Sequence, residues 1–551
     1  MPRLFAHSWI QCLSVLVQIV WLAAPPVMAQ AEVTDADVHA IVAGLTTQDF
    51  AAKQEVVERL MQMPHRSTAA ILTAMLNGDL HYRKDDGRVL IVQAADADVI
   101  LLDPVTGEAA GTATRSDLRK VTVNNPLRGV LRTAIGQLKL SSADPDERIA
   151  AVREILKDMT PASVGLLRAA RGREGDARVL ESMIDALALA DLQSPDKALR
   201  LAAIERLGGS LEPEIRNRLA VLTEQGAGGT FAEADADIRQ AARTALARID
   251  GKVKIYRLAE TVFFGISLGS VLLLAAIGLA ITFGVMGVIN MAHGELMMIG
   301  AYTTYVVQLL MPQHIDLSLF VAVPLAFTVA GLFGIAIERG VIRFLYGRPL
   351  ETLLATFGIS LVLQQLVRSI FSPLNRSVAT PSWMSGSLEI NSVLSLTYNR
   401  LYIVLFSLLV FVGLLLILKK STLGLQVRAV AQNRAMARAM GVRSGWVDAL
   451  TFGLGSGIAG VTGVALSQLT NVGPNLGQAY IIDSFMVVVF GGVGNLWGTL
   501  VGALSLGVLN KFLEPWAGAV LAKIVVLIAI ILFIQKRPRG LFPQKGRAAE
   551  D

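Results

Sequence analysis

Residues 262–282 read VFFGISLGSVLLLAAIGLAIT, an apolar stretch without a charged side chain. A helix needs about 20 apolar residues to cross the hydrocarbon core of a bilayer, so this stretch predicts a transmembrane helix. Similar spans follow to the end of the chain, and we predict an all-α, polytopic membrane domain over 251–551. The spans are placed near 262–282, 287–310, 318–338, 352–371, 401–418, 448–468, 481–492, 496–510 and 517–535.

The composition separates this membrane domain from a more polar domain in front of it. The chain of 551 residues is 53% hydrophobic and only 17% charged, whereas soluble globular chains contain about 25% charged residues. The apolar residues are concentrated in the second half. The Lys and Arg behind the formal net charge of +6 lie between and after the apolar spans. This placement is typical of cytoplasmic loops and argues against a nucleic-acid partner.

The N-terminus has the features of a secretory signal. Arg3 supplies positive charge, residues 10–24 form an apolar core, and residues 27–29 (VMA) provide a small-residue cleavage site. We predict a cleaved signal peptide over 1–29, with an uncleaved first transmembrane helix as the alternative. The single cysteine, Cys12, lies in this segment. The mature chain is therefore expected to lack disulfides, zinc–thiolate sites and cysteine nucleophiles.

Residues 30–250 predict an exported, periplasmic helical domain. Weak echoes at 144–151, 194–203 and 234–242 each combine an Asp- or Ser-rich turn with apolar residues at helical spacing. A single helix pair cannot bury its apolar face, so we expect stacked pairs in a HEAT-like arrangement. The spacing between the echoes is irregular, and nothing more specific follows from it.

A small β insert is expected to interrupt these helices. Residues 88–92 (RVLIV) and 98–102 (DVILL) are rich in β-branched residues, and the turn 103–107 (DPVTG) follows them. We predict a hairpin or a three-stranded insert between Tyr82 and Val123. The histidines of this domain are scattered and lack partners at ligand spacing, so we expect no metal site and no catalytic constellation; they are His39, His65 and His81.

Charge predicts the orientation of the membrane domain. The segments 419–443 and 536–547 carry Lys and Arg without an acidic residue, so both are expected in the cytoplasm. An exported start and a cytoplasmic end require an odd number of crossings, which is reached only if 481–510 contains two helices. We predict a helix break there that turns the chain, and a re-entrant pair fits equally well. The predicted break residues are Gly491, Gly492, Gly494 and Asn495.

The chain lacks a loop that would hold the phosphates of ATP. A Walker A motif needs Gly-Lys followed by Ser or Thr, but the pair Gly251-Lys252 is followed by Val253. Energy for transport would therefore come from a partner or from an ion gradient.

The basic segment 421–443 predicts short helices that could seat on such a partner. The alternative is a basic loop held at the anionic surface of the membrane. A broken apolar stripe runs through Val427, Val430, Met436 and Met440. Within a predicted coupling loop at 419–447, the candidate coupling residues are Arg428, Ala431, Asn433, Arg434, Arg438 and Gly441.

The sequence NMAHGE at 290–295 resembles the Asn-x-Ala-His-Gly-Glu signature of the branched-chain amino acid permease family of ABC importers. The segment around Gly441 is similar to the ATPase-coupling loop of that family, and the resemblance extends from about Ala259 to the C-terminus. It implies an inner-membrane transport subunit, not an enzyme, without a cofactor. It also implies a heterodimer with a second permease subunit, two cytoplasmic ATPases and a periplasmic solute-binding protein.

Within the family, the sequence most resembles the permease subunits of urea transporters. That subgroup has an exported N-terminal helical domain and similar versions of 103–108 (DPVTGE) and 351–358 (ETLLATFG). The resemblance implies import of urea or a short amide. One alternative is branched-chain amino acid import, and another is an ATP-independent channel or receptor with an exported sensor domain.

Polar residues inside the apolar spans are the candidate site, because ionisable groups in a membrane are rare and usually functional. Asn290 and His293, three residues apart, are expected on one helix face, where they could hydrogen-bond a neutral amide. Glu295 would point elsewhere, and a structural or gating role is the alternative for all three. Asp483 would line the periplasmic entry or cap a helix there.

Overall fold

The computed structural model describes residues 34–63, 65–93, 99–157, 159–225 and 230–542. The predicted signal peptide and Cys12 lie outside these residues. The chain forms two compact units, Met1–Arg248 and Ile249–Asp551, and each has its own core.

The first unit is mainly helical, and the Asp-rich turns of the three sequence echoes start helices in it. Asp144, Asp196 and Asp235 each accept the N–H of the residue two positions later, at 2.8–2.9 Å. Such caps satisfy N–H groups that the start of a helix leaves without a partner. The helices are α1 (Asp35–Val42), α2 (Phe50–Gln62), α3 (Thr68–Asn77), α4 (Asn125–Leu140), α5 (Pro145–Lys157), α6 (Pro161–Arg171), α7 (Ala177–Asp191), α8 (Lys197–Leu207) and α9 (Pro213–Val221).

The β insert is a five-stranded antiparallel sheet in the order β4-β3-β2-β1-β5. The prediction of two or three strands was therefore wrong in number. The additional outer strands lack β-branched runs, so pairing with β3 and β1 holds them rather than their own propensity. The strands are β1 (Leu80–Arg83), β2 (Val89–Gln93), β3 (Val99–Leu102), β4 (Ala109–Ala113) and β5 (Leu118–Lys120).

Asp103 organises the turn between β3 and β4. Its buried carboxylate accepts hydrogen bonds from Nε2 of His39 on α1 at 3.0 Å and from Nη2 of Arg88 at 2.8 Å. It also accepts the backbone N–H of Val105 at 2.9 Å. Burial by itself would raise the pKa of Asp103, but these hydrogen bonds hold that pKa well below its ordinary value. The DPVTGE segment therefore joins the sheet to the first helix.

The second unit confirms the predicted polytopic helical architecture. Six helices of the described chain are long and apolar enough to cross a membrane. A hairpin of β6 (Ser387–Glu389) and β7 (Ser395–Thr397) precedes one of them. The helices are α10 (Ala236–Met286), α11 (His293–Leu310), α12 (Ile315–Gly340), α13 (Pro349–Phe371), α14 (Tyr398–Lys420), α15 (Thr422–Gln432), α16 (Arg434–Ala439), α17 (Ser444–Ser467), α18 (Leu476–Gly491) and α19 (Leu496–Lys536).

Helix α17 is the centre of this bundle. In its most apolar stretch of 18 residues, 89% are buried, and the helix packs against both α11 and α12. A Cβ at Gly453 would lie 2.7 Å from Ile335, and one at Gly457 would lie 2.8 Å from the ring of Phe327. Small residues allow helices to approach closely in lipid, where packing drives association. Gly453 and Gly457, a GxxxG sequence, therefore serve the close packing of α17 against α12.

Candidate solute pathway and coupling loop

A helix break places the NMAHGE motif inside the second unit. Helix α10 ends at Met286, and α11 begins only at His293. Asn290 lies in the connecting segment, where its Oδ1 accepts the N–H of Ala292 at 3.0 Å. Asn290 and His293 therefore do not share a helix face, and the predicted start of this span at 287 was too early. The reason is that the Asn290 side chain accepts a backbone N–H just before α11, and this bond competes with the helical hydrogen-bond pattern.

His293 joins α11 to α10. Its ring is fully buried, and Nε2 lies 2.9 Å from the backbone oxygen of Ala275. A Cβ at Gly278 would lie 2.9 Å from the same ring. Within the described chain, Nδ1 has no hydrogen-bond partner. These contacts suit the structural alternative for His293.

Glu295 faces a different helix, α13. Its buried Oε1 accepts hydrogen bonds from Oγ of Ser360 at 2.7 Å and from Nε2 of Gln364. Thr356, one turn earlier on α13, accepts the backbone N–H of Met291 at 3.2 Å. Sequence reasoning missed this buried polar stripe of α13. Its signal was available, because polar residues recur every four positions in an apolar span; they are Thr352, Thr356, Ser360 and Gln364.

A cavity of about 120 Å³ lies between the first helix break and α18. Asn290 is the one polar side chain among its lining residues, and the Nδ2 atom of Asn290 has no hydrogen-bond partner among the described residues. We call this hollow the Asn290 cavity. Its lining consists of Leu279, Ile289, Asn290, Met291, Ile481, Ile482 and Phe485.

Asp483 lies on α18 but does not line the Asn290 cavity. It is buried and accepts a hydrogen bond from Nζ of Lys523 on α19 at 2.9 Å. The structure therefore brings neither Glu295 nor Asp483 to Asn290. Each of the three polar residues contacts a different helix or segment.

A second helix break lies at the predicted glycines. Helix α18 ends at Gly491, and Oδ1 of Asn495 caps α19 by accepting the N–H of Trp497 at 3.0 Å. Gly492 and Gly494 both have positive φ, 105° and 76°, which a residue with a Cβ adopts only at a cost. The two breaks are neighbours, since a Cβ at Gly284 near the end of α10 would overlap Gly494.

The coupling loop folds as α15 and α16. The Arg428 side chain donates to the backbone oxygen of Leu418, and Oδ1 of Asn433 caps α16 by accepting the N–H of Met436 at 2.9 Å. Ala431 is half-buried in the last turn of α15. Gly441 has a φ of 88° just after α16, so its lack of a Cβ allows the chain to leave the helix.

The arginines of α16 bind within the subunit. Arg434 donates through both terminal nitrogens to the carboxylate of Asp448 on α17, at 2.7 and 2.8 Å. Nε of Arg438 donates to Oγ of Ser444 at 2.7 Å. The hydrogen bonds of these two arginines therefore hold the coupling loop against α17.

The predicted apolar stripe is divided between two surfaces. Val427 and Val430 are buried against Val447 of α17, whereas Met436 and Met440 are 60% and 78% exposed. The four residues of the predicted broken stripe therefore do not share one surface, because α15 and α16 are separate helices joined at Asn433. Met436 and Met440 form what we call the exposed methionine surface. No group of three or more potential metal ligands occurs in the residues that the structure covers.

Comparison with known proteins identifies the second unit. The family described as "Branched-chain amino acid transport system / permease component" matches residues 261–534. The permease BraD of Pseudomonas aeruginosa is 32% identical over 299 residues, which cover 52% of this chain and 96% of BraD. The permease LivH of Escherichia coli K12 is 32% identical over 293 residues, covering 51% of this chain and 94% of LivH. The ribose import permease RbsC of Bacillus subtilis is 31% identical over 136 residues, covering 22% of this chain and 42% of RbsC.

No solved structure matches the chain significantly. The matches to BraD and LivH extend over nearly the full length of those permeases, and they leave about half of this chain without a counterpart. The helix breaks and the coupling loop lie inside the matched region. The chain is thus a multi-pass inner-membrane protein of the branched-chain amino acid-type ABC permease family, a transport subunit and not an enzyme.

Proposed function

We propose that this chain is the permease subunit of an ATP-driven importer for urea or a similarly small amide. The observation that carries the substrate proposal is the Asn290 cavity, an apolar cavity beside the buried Asn290 side chain. Ligand sites are typically apolar hollows with few polar groups that fix orientation. The solute would pass this point as the helices around the break rearrange between outward-open and inward-open states.

Charge favours a small neutral solute. The cavity measures about 120 Å³, and no ionised side chain of the described residues lines it. Urea is a single amide-sized unit, whereas leucine adds a branched side chain and a zwitterionic backbone. If leucine entered this cavity, its ammonium and carboxylate groups would meet no ionised side chain. Burying such unpaired charges costs free energy. Nδ2 of Asn290, which has no partner among the described residues, would donate a hydrogen bond to the urea carbonyl oxygen once the helices around the break open.

Branched-chain amino acid import is the second candidate, since BraD and LivH are named as branched-chain amino acid transport permeases. The first unit favours the urea proposal, because an exported N-terminal helical domain is a feature by which the sequence resembles urea permeases. The match to BraD covers 96% of BraD but only 52% of this chain, so BraD has no counterpart of the first unit. We assign the first unit as a periplasmic HEAT-like domain, with the C-terminus in the cytoplasm.

Two separate cytoplasmic ATPases would drive the cycle by binding the exposed methionine surface. Unbranched, polarizable methionine side chains adapt well to a partner surface, and Met436 and Met440 project from a loop whose basic charge predicts a cytoplasmic position. A second permease subunit would complete the membrane domain as a heterodimer. A periplasmic binding protein would deliver the solute.

Uptake of labelled solutes tests the substrate. Cells that carry only this system should accumulate urea, and leucine should not compete. Asn290→Leu fills the cavity and removes the amide, so urea uptake should fall at least tenfold. Asn471→Leu, at an exposed position, is the matched control and should leave uptake unchanged. Uptake of leucine without urea would overturn the substrate proposal in favour of the second candidate.

Co-purification tests the ATPase contact. Met436→Glu places a charge on the exposed methionine surface and should release the ATPases, whereas Met436→Leu should retain them. Urea uptake that continues after the ATPase genes are deleted would show an ATP-independent channel instead.

A further inference from the structure

The coupling helix α16 is held by one unusually specific contact. Arg434 and Asp448 form a two-pronged ion pair whose side chains are only 17% and 7% exposed. A bidentate arginine–carboxylate pair fixes the relative orientation of its partners as well as their distance. Arg434 is thus a rigid connection between α16 and α17.

Other groups confine the same arginine. The ring of Tyr346, in the segment between α12 and α13, lies 3.9 Å from the guanidinium carbon. Glu338, buried near the end of α12, is within electrostatic range of both Arg434 and Asp448. Arg339 and Arg343 also compensate Glu338. The carboxylate of Asp448, in contrast, is paired with Arg434, so removal of Arg434 would leave Asp448 with the larger loss of compensation.

Helix α17 can carry a displacement further into the bundle. It is buried along most of its length, and at Gly460 and Gly463 its backbone touches α11, where a Cβ at Gly300 would overlap Gly460. Backbone contacts of this kind have no flexible side chains to absorb a shift. Helix α11 in turn begins at the break beside the Asn290 cavity and carries Glu295.

We propose that the Arg434–Asp448 ion pair is the mechanical link that transmits movement of the ATPases from α16 through α17 to α11 and the solute pathway. This inference rests on the proposed function, and it gives Arg434 a role different from contact with the ATPase. Arg434 and Asp448 are positioning residues, which touch neither solute nor nucleotide. The exposed methionine surface receives the force, and the ion pair passes it on.

The variant Asp448→Asn keeps the shape of the side chain and removes its charge. The complete reconstituted transporter should still bind its ATPases and hydrolyse ATP, but the number of ATP molecules hydrolysed per solute imported should rise at least fivefold. The exchanged pair Arg434→Asp with Asp448→Arg should restore at least half of the wild-type ratio. Glu351→Gln is the matched control, because its pair with Arg348 is exposed and local to the start of α13; its ratio should not change.

Hydrogen exchange on the purified full chain tests the link without transport. In Asp448→Asn, amide exchange in α16 should accelerate at least tenfold, and the exchanged pair should reverse this effect. Unchanged exchange would refute the link itself. Accelerated exchange with a normal ATP-to-solute ratio would refute its role in transmission. A wild-type complex without ATP-driven uptake would refute the proposed function, and the exchange experiment would still decide whether the ion pair holds α16.

Discussion

The two units bury polar groups in different ways. In the first unit, long charged side chains reach across helices and strands: Lys53 is buried and donates to the backbone oxygen of Thr122 at 2.8 Å, and Arg148 pairs with Glu174 at 2.8 Å. In the second unit, the closest contacts between helices are made by glycine and backbone. The buried carboxylates of the second unit lie at separate positions on different helices, at Glu295, Glu338, Asp448 and Asp483.

This difference follows from the solvent of each unit. In water, burial of leucine and valine already drives helices together, and hydrogen-bonded ion pairs add specificity. In lipid, apolar side chains gain little by leaving the surroundings, so association depends on close packing and on a few interhelical hydrogen bonds. The same comparison predicts that small changes in volume harm the second unit most, whereas changes in charge harm the first.

The largest effect is expected at the α11–α17 contact. Gly300→Val would force a side chain into the backbone of Gly460, and the yield of folded, monodisperse protein in detergent should fall at least tenfold. Gly413→Val is the control on α14, since a Cβ there meets no atom within 4 Å. Size-exclusion chromatography of both variants measures the effect. Equal yields would mean that glycine packing does not distinguish the second unit.

The next effect is expected at Asp103 in the first unit. Asp103→Ala leaves Arg88 and His39 without their buried acceptor, and the free energy of opening the β3–β4 turn should fall by about 3 kcal/mol. Native-state hydrogen exchange on the full chain measures this energy. Glu55→Ala, which breaks an exposed pair with Arg59, should change it by less than about 0.5 kcal/mol.

The pH dependence of the same turn has a definite sign. Because the folded pKa of Asp103 is lowered, its stabilisation is present above the ordinary pKa of about 4 and is lost as pH falls through the folded value. Protection of the wild-type turn against hydrogen exchange should therefore decrease as pH falls below about 4. In Asp103→Asn, the protection of this turn should not change with pH over the same range. An equal acid sensitivity of both proteins would assign the effect to other carboxylates.

A smaller effect is expected from the Glu295 network, one of the buried carboxylate sites of the second unit. Gln364→Leu removes one donor to the buried carboxylate, and the stability of the α11–α13 contact should fall by about 2 kcal/mol. Ser369→Ala, at an exposed position of the same helix, is the control. Exchange rates in α11 report the result, and no difference between the variants would show that Glu295 is satisfied in another way.

The smallest effect is expected at His39. Burial lowers the pKa of His39, but its hydrogen bonds to Asp103 and to the backbone oxygen of Asp35 raise that pKa above its ordinary value. Its contribution is therefore present below pH 6.5 and is lost as pH rises through the folded value. The imidazole is 36% exposed, and solvent screening limits the loss to about 0.5 kcal/mol. His39→Gln should remove the change in exchange between pH 5.5 and pH 8, and a persisting change would identify another titrating group.

Local sequence patterns predicted the features that depend on neighbouring residues. The Asp-rich turns start helices, and the glycines at 491–494 end one. The prediction that Asn290 and His293 share a helix face was wrong. It assumed helical spacing from Asn290 onward, but the helix begins only at His293. The stripe on α13 could have been predicted from spacing alone, although its partner Glu295 could not.

By itself, the sequence determined that this protein has a membrane-spanning helical half and that it lacks a Walker A motif, because span length, charge and short motifs are properties of contiguous residues. Only the tertiary structure decided which groups meet. Ser360 reaches Glu295, 65 residues away in the chain, because α13 packs against α11. Arg434 reaches Asp448 across the turn between α16 and α17. No local pattern specifies either pairing. The division of the methionines from the valines in the coupling loop has the same origin, since burial is determined by α17 and not by the loop alone.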